Sequence, residues 1–336
     1  MFKNILVATD TITGPDAPVL AAIDLAQLRG SGLHILHVLE SASAQDRNLV
    51  KHFKTNQEIR ADGAYVKTVQ DALSAAYGKE ADSAGKACFH VTTGYPWEEI
   101  LRIAREVDTD LIMVGPHSDH AAKKGVIRGT ARIGSTVQNV IAHEHCPVMI
   151  VSRPIEKDKL LFKRIVVGID FSVACECALC LSVKLSRNFG SILYPFFMLP
   201  VPPYPKHSES DSRADMTVLR QRLEEFCDIY LDGIDHEYKV WAGVLPHQEV
   251  LECARKLDAD LIMLGSHTKK SNGKWYAGSV VEQVSHGAQC PVVSVSDPQA
   301  LEKWKDIRVP ALDGEAPMDR SIHLFTNTPS PDGDGT

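Results

Sequence analysis

The chain carries one long pattern twice, and that duplication restricts its fold more than any other feature. Lys3-Asn4-Ile5-Leu6-Val7-Ala8-Thr9-Asp10 returns as Lys163-Arg164-Ile165-Val166-Val167-Gly168-Ile169-Asp170. Asp108-Thr109-Asp110-Leu111-Ile112-Met113-Val114-Gly115 returns as Asp258-Ala259-Asp260-Leu261-Ile262-Met263-Leu264-Gly265, identical at six of eight positions. His145-Cys146-Pro147-Val148 returns as Gln289-Cys290-Pro291-Val292. A unit of about 150 residues is too long for a solenoid repeat and has the size of a whole domain. The 336 residues therefore predict two copies of one fold.

Within each copy, short apolar runs alternate with amphipathic segments. Ile5-Leu6-Val7-Ala8 reads as a strand buried on both faces of a parallel sheet. Val19 to Leu28 reads as a helix ending near Gly30-Ser31-Gly32, Leu33 to Leu39 as a second strand, and residues 40 to 85 as loop plus helix. A third strand begins over Cys88 to Val91. Pro96 opens a helix with Ile100, Ile103, Ala104 and Val107 on one face, and Pro246 opens its counterpart with Val250, Cys253, Ala254 and Leu257. Leu111 to Val114 and Val148 to Val151 complete five strands, with a helix marked by Val137, Val140 and Ile141 between them. The second copy predicts strands over Ile165 to Ile169, Ile192 to Phe197, Glu237 to Trp241, Leu261 to Leu264 and Val292 to Val295. Strand–helix alternation predicts right-handed crossovers and a parallel sheet in each half. The expected division is domain one over 1–153, a linker over 154–161, domain two over 162–297, and an extension over 298–336. That extension is expected to be partly disordered, ending in Pro329-Ser330-Pro331-Asp332-Gly333-Asp334-Gly335.

A formal charge of −7 argues against a general nucleic-acid binder, which needs a basic face. No apolar run predicts a membrane span, and the opening Met1-Phe2-Lys3 reads directly into a strand with no secretory leader. Eight scattered cysteines suit free thiols in a reducing cytoplasm.

Ligands of open parallel sheets bind at the carboxyl ends of strands, where the strand order reverses. There the first strands end in Asp10 and Asp170, which either meet a ligand or only form the strand-end turn, and the fourth in Gly115 and Gly265. Glycine lets a ligand approach the backbone. In the second half Gly278-Ser279-Val280 opens a helix whose N–H groups favour phosphate, and Lys269, Lys270 and Lys274 add positive charge. Together these groups describe a mononucleotide pocket.

With these residues in hand, both halves resemble the universal stress protein family. The resemblance rests on the strand ending in Asp, the Asp-x-Asp-Leu-Ile-Met-x-Gly strand, the Gly-Ser helix start and the Cys-Pro-Val strand, over about 2 to 152 and 162 to 297. It implies an α/β fold with two tandem Rossmann-like domains of the adenine nucleotide alpha hydrolase type, each a five-stranded parallel sheet flanked by helices. It also implies a cytoplasmic stress role, and ATP or AMP as ligand where Gly-x2-Gly-x9-Gly-Ser/Thr is kept. Members pair through their last strand, so the two halves are expected to pack as a pseudo-dimer around Val148 and Val292, with a further homodimer left open.

In the second half Thr268 replaces the middle Gly; its side chain could obstruct phosphate or its hydroxyl could contact it. The implied nucleotide site is Asp170, Ile169, Phe196, Gly265, His267, Thr268, Gly278, Ser279 and Val280. The implied first-half site is Asp10, Thr9, Val38, Gly115, Ser118, Gly134, Ser135 and Thr136. It departs further, because the repeat offset drops from 150 at Gly115/Gly265 to 144 at Gly134/Gly278, leaving six extra residues in a loop with Lys123, Lys124, Arg128 and Arg132. Phe196 is taken as the neighbour of the position matching Val38, where an aromatic ring could stack on a base or fill the pocket. His117 and His267 either orient a phosphate or cap their loop.

Other groups read more simply. Cys175-x-Cys177-x2-Cys180 predicts small buried residues rather than converging thiolates. Cys146 and Cys290 point to packing, His143-Glu144-His145 to a solvated loop rather than a metal site, and Trp97 to a packing anchor. Three functions compete: a nucleotide-binding stress regulator, an interaction scaffold with both pockets closed, and a nucleotidyl transferase. The last lacks His-x-Gly-His, a Ser-Gly-Gly loop and a general base beside the phosphates. A regulator with no catalytic residues is favoured, slow ATP hydrolysis being compatible with it.

Overall fold

A computed structural model describes residues 2–12, 14–43, 45–82, 85, 87–116, 134–200, 209–266, 280–296, 301 and 304, with backbone only at 209–215. Each half places five strands in one parallel sheet. In the first these are β1 (Asn4–Thr9), β2 (Gly32–Glu40), β5 (Ala87–Gly94), β6 (Leu111–Val114) and β7 (Val148–Ile150). In the second they are β8 (Arg164–Gly168), β9 (Ile192–Pro200), β10 (Lys239–Gly243), β11 (Leu261–Gly265) and β12 (Val292–Val295). The ladder runs β10-β9-β8-β11-β12-β7-β6-β1-β2-β5, so both halves have the order third, second, first, fourth, fifth. The reversal falls between β1 and β6, and between β8 and β11. These are the switch points where such sheets hold ligands.

The expected pseudo-dimer is present. β7 and β12 pair antiparallel, with Val292 opposite Ile150, Val293 opposite Met149 and Ser294 opposite Val148. Above this seam Gln138 donates through Nε2 to Glu282 Oε1 at 2.7 Å, joining the helices Ser135–His143 and Val280–Gly287. Alternate strand residues face opposite layers. Ile5, Val7 and Met113 join the helices Ala17–Arg29 and Gly63–Asp82 in one core, while Leu6 and Ile112 join Pro96–Glu106 and Ser135–His143 in the other. The second half repeats this with Val173–Phe189 and Glu209–Leu231 against Pro246–Lys256 and Val280–Gly287.

Between residues 40 and 63 the first half adds an unexpected hairpin of β3 (Leu49–Lys51) and β4 (Glu58–Arg60). Its strands are three residues long, too short to show an alternation that could be read.

The Asp-x-Asp motif is architectural. Asp108 and Asp258 adopt left-handed backbone (φ 51° and 47°) and end the preceding helices. Asp110 accepts the N–H groups of Lys3 at 2.7 Å and Asn4 at 3.3 Å, and Asp260 accepts that of Arg164 at 2.9 Å. Each carboxylate thus fastens the start of its own first strand. The linker is fastened as well: it contains a short 3-10 helix, Lys157–Leu161, and Lys159 Nζ reaches Asp258 at 2.7 Å and Asp260 at 3.1 Å. Part of the C-terminal extension is packed, since Leu301 and Trp304 are buried and the Trp304 ring meets Phe2 edge-on at 5.5 Å.

Candidate functional site

At the second switch point, register sets Gly168 beside Leu264, so the strand ends carrying Asp170 and Gly265 are neighbours. Two residues, 171 and 172, separate Asp170 from the helix Val173–Phe189. Asp170 Oδ1 accepts the Ser172 N–H at 3.0 Å and the Ser172 hydroxyl at 2.5 Å, and Ser172 Oγ accepts the Cys175 N–H at 3.1 Å as the helix cap. Phe171 takes left-handed backbone (φ 62°), a costly state for a bulky residue. It is held there by burial against Phe197 (5.0 Å) and Phe226 (5.3 Å), with the Arg222 guanidinium 5.0 Å from its ring. The loop is anchored inward through Phe171, which leaves Asp170 exposed at the crevice.

Three expectations change here. Gly265 admits a helix: a Cβ at this position would lie 2.4 Å from Cys175 N and 2.6 Å from the Ala174 carbonyl carbon. Its missing side chain accommodates the first turn of Val173–Phe189. Phe196 is not the counterpart of Val38. Ala8 pairs with Leu36 and Gly168 with Phe196, so Phe196 matches Leu36 and Met198 matches Val38. The Phe196 ring is buried 4.7 Å from Trp241, inside the core. Ile169 also gives its side chain to the core, and its N–H to Phe196 O at 2.8 Å. Val280 begins its helix, half-buried. His267, Thr268, Gly278 and Ser279 lie outside the described residues, as do Lys269, Lys270 and Lys274.

The first switch point is built differently. Six residues, 11–16, separate Asp10 from the helix starting at Ala17, four more than in the second half. Thr9 donates through Oγ1 to Asp16 Oδ2 at 2.6 Å and accepts the Thr11 N–H at 3.2 Å. Tyr77 donates to Gly14 O at 2.6 Å, and burial with the nearby Asp16 charge pushes its hydroxyl up to about 12. His37 reaches Thr9 O at 3.0 Å. The residues missed from sequence are therefore Asp16, His37 and Tyr77; Asp16 before Ala17-Pro18 was a readable helix-start signal.

Asp10 and Val38 are half-buried beside this loop. Pro116 O, next to Gly115, accepts the Gly134 N–H at 2.8 Å, and the helix begins at Ser135, with Ser135 exposed and Thr136 half-buried. Ser118, His117 and the basic loop lie outside the described residues.

The remaining candidates are placed elsewhere. Cys175, Cys177 and Cys180 are buried, and burial pushes the Cys175 and Cys180 thiols upward, away from reactive thiolate. The His143 ring packs at 5.4 Å on Trp97, while Glu144 Oε1 accepts the His145 N–H at 2.8 Å. Among the described residues no three His, Cys, Asp or Glu side chains converge as metal ligands, and no helix is long and apolar enough to cross a membrane.

The model of the Universal stress protein family matches residues 1–152 and again 161–296. Universal stress protein MJ0531 of Methanocaldococcus jannaschii is 25% identical over 162 residues, which span 45% of this chain and 91% of that protein. Universal stress protein Mb2019 of Mycobacterium bovis is 26% identical over 236 residues, 66% of this chain and 69% of that protein. Among solved structures, a universal stress protein from Archaeoglobus fulgidus superposes with a TM-score of 0.59 at 19% identity, covering 87% of this chain and 98% of that one.

Proposed function

The chain belongs to the universal stress protein family, and from that premise we propose that it is a cytoplasmic stress regulator whose second domain binds an adenine nucleotide. The observation that carries this reading is the second switch point itself. Asp170 stands there with its carboxylate oriented by Ser172, beside the end of β11 from which Gly265 leads to Gly278-Ser279 at the family spacing. Asp170 would bind the ribose or base. The N–H groups at Gly278, Ser279 and Val280 would take the phosphates, where the positive helix end favours an anion. The proposed role is ligand sensing rather than turnover, because the sequence carries neither the His-x-Gly-His nor the Ser-Gly-Gly segment expected of a nucleotidyl transferase.

A scaffold with closed pockets is the competing reading, supported by the tight seat of the helix Val173–Phe189 on Gly265. Calorimetry of the full chain with ATP and AMP separates the two. Gly278→Leu should abolish binding; unchanged affinity would remove the second-domain site. Thr268→Gly should tighten ATP binding if the threonine side chain obstructs phosphate, whereas a weaker complex would assign its hydroxyl a direct contact.

A further inference from the structure

Two histidines meet at the outer edge of the first domain. β5 is the end strand of the sheet and pairs with β2. Parallel register puts His34 opposite Cys88 and Leu36 opposite His90, so these side chains share one face. His34 Nδ1 and His90 Nε2 are hydrogen-bonded at 3.0 Å, and their rings stack with centroids 5.2 Å apart. Both are half-buried where the helix Pro96–Glu106 packs on β2 and β5. The charged groups on that helix are Glu98, Glu99, Arg102, Arg105 and Glu106; Arg102 bonds Glu99 and Glu106, each at 2.9 Å, and Glu98 pairs with Arg47. The strands add Cys88.

The second domain supplies an internal comparison. Val166 opposite Tyr194 repeats Leu6 opposite His34, and Lys239 opposite Phe196 repeats His90 opposite Leu36. Tyr194 and Lys239 therefore stand where the histidines stand. Lys239 Nζ lies 5.7 Å from the Tyr194 ring centroid, a cation–π contact between residue types that do not change charge near neutrality.

We propose that the His34–His90 pair is an acid-sensitive latch, holding β5 on β2 at neutral pH and releasing it in acid, while the matching strand of the second domain stays closed. A neutral pair satisfies itself with one ring N–H and one ring lone pair. Adding one proton keeps that bond; adding two leaves no acceptor between like charges 3.0 Å apart. Burial holds both rings below the ordinary histidine value. The neighbouring His90 adds to this for His34; for His90, Glu106 opposes the shift and Arg102 adds to it. With the folded values depressed, the unfolded strand binds more protons in the window just below about 6.5. The latch is then complete above that pH and weakens as pH falls through it. Release would bare the β2 edge as a template for strand pairing.

Hydrogen exchange of the full chain between pH 7.5 and 5, corrected for intrinsic rates, tests this. Protection of Ala87–Gly94 should fall by about tenfold for each unit of pKa depression, while Lys239–Gly243 keeps its protection. His34→Tyr with His90→Lys transplants the second domain's pair and should flatten the β5 profile; His90→Gln should flatten it while keeping a hydrogen-bonding side chain. Parallel profiles for the two edge strands in the unaltered chain would overturn the latch. So would an acid loss that persists in either variant. The comparison within the unaltered chain needs no variant to fold.

Discussion

Gly265→Ala is expected to lower the stability of the second domain by at least about 3 kcal/mol, at the upper end of overpacking effects. The added methyl would meet backbone, with Cys175 N at 2.4 Å and Cys175 Cα at 2.8 Å, so no side chain can swing aside. The helix cannot slide away cheaply either. Its start is capped by Ser172 and tied through Phe171 to an aromatic cluster. Urea denaturation of the full chain, followed by a probe in the second domain, measures the effect. Gly63→Ala is the control, because nothing lies within 4 Å of a Cβ there. A loss below about 1 kcal/mol at Gly265 would mean that the glycine serves something other than helix seating.

Asp260→Ala is expected to cost about 2–4 kcal/mol, less than a fully buried pair because Lys159 and Arg164 retain contact with water. The Asp260 side chain is 3% exposed and does three things at once. It accepts the Arg164 N–H at 2.9 Å, and it pairs with Lys159 Nζ at 3.1 Å and Arg164 Nη2 at 3.4 Å. Removing it takes the acceptor from a strand N–H and leaves both cations with Asp258 alone, at 2.7 Å from each, while loosening the linker. Asp260→Asn keeps one acceptor and should recover part of the loss. Equal midpoints for the two variants would show that the hydrogen bond to Arg164 contributes little.

Much of this fold was legible because local pattern and global topology agree. The apolar runs and their repetition placed ten strands, and the family resemblance, with its pairing through the last strand, implied the seam where Val292 pairs with Ile150. What escaped depends on long-range register. Tyr194-Pro195-Phe196-Phe197 is apolar on both faces, so its period gave no phase, and the counterpart of Val38 was placed only near Phe196, where register puts it at Met198. The same blindness hid the His34–His90 contact, whose partners are 56 positions apart.

The site was legible in part. Asp170 and Gly265 were placed at the switch point, where they are found, and each has a structural task there. Asp170 shapes a helix cap before any ligand arrives, and Gly265 seats that helix. The repeated Asp-x-Asp motif was read as a strand label, yet its second aspartate is a clamp on the neighbouring strand's N–H groups.

The most direct test of the account is the amount of ATP bound by the full chain at saturation, measured by calorimetry. One equivalent per chain, lost in Gly278→Leu and unaffected by Gly134→Leu, is the predicted result. Absence of binding, or binding that survives Gly278→Leu, would contradict a nucleotide seat in the second domain.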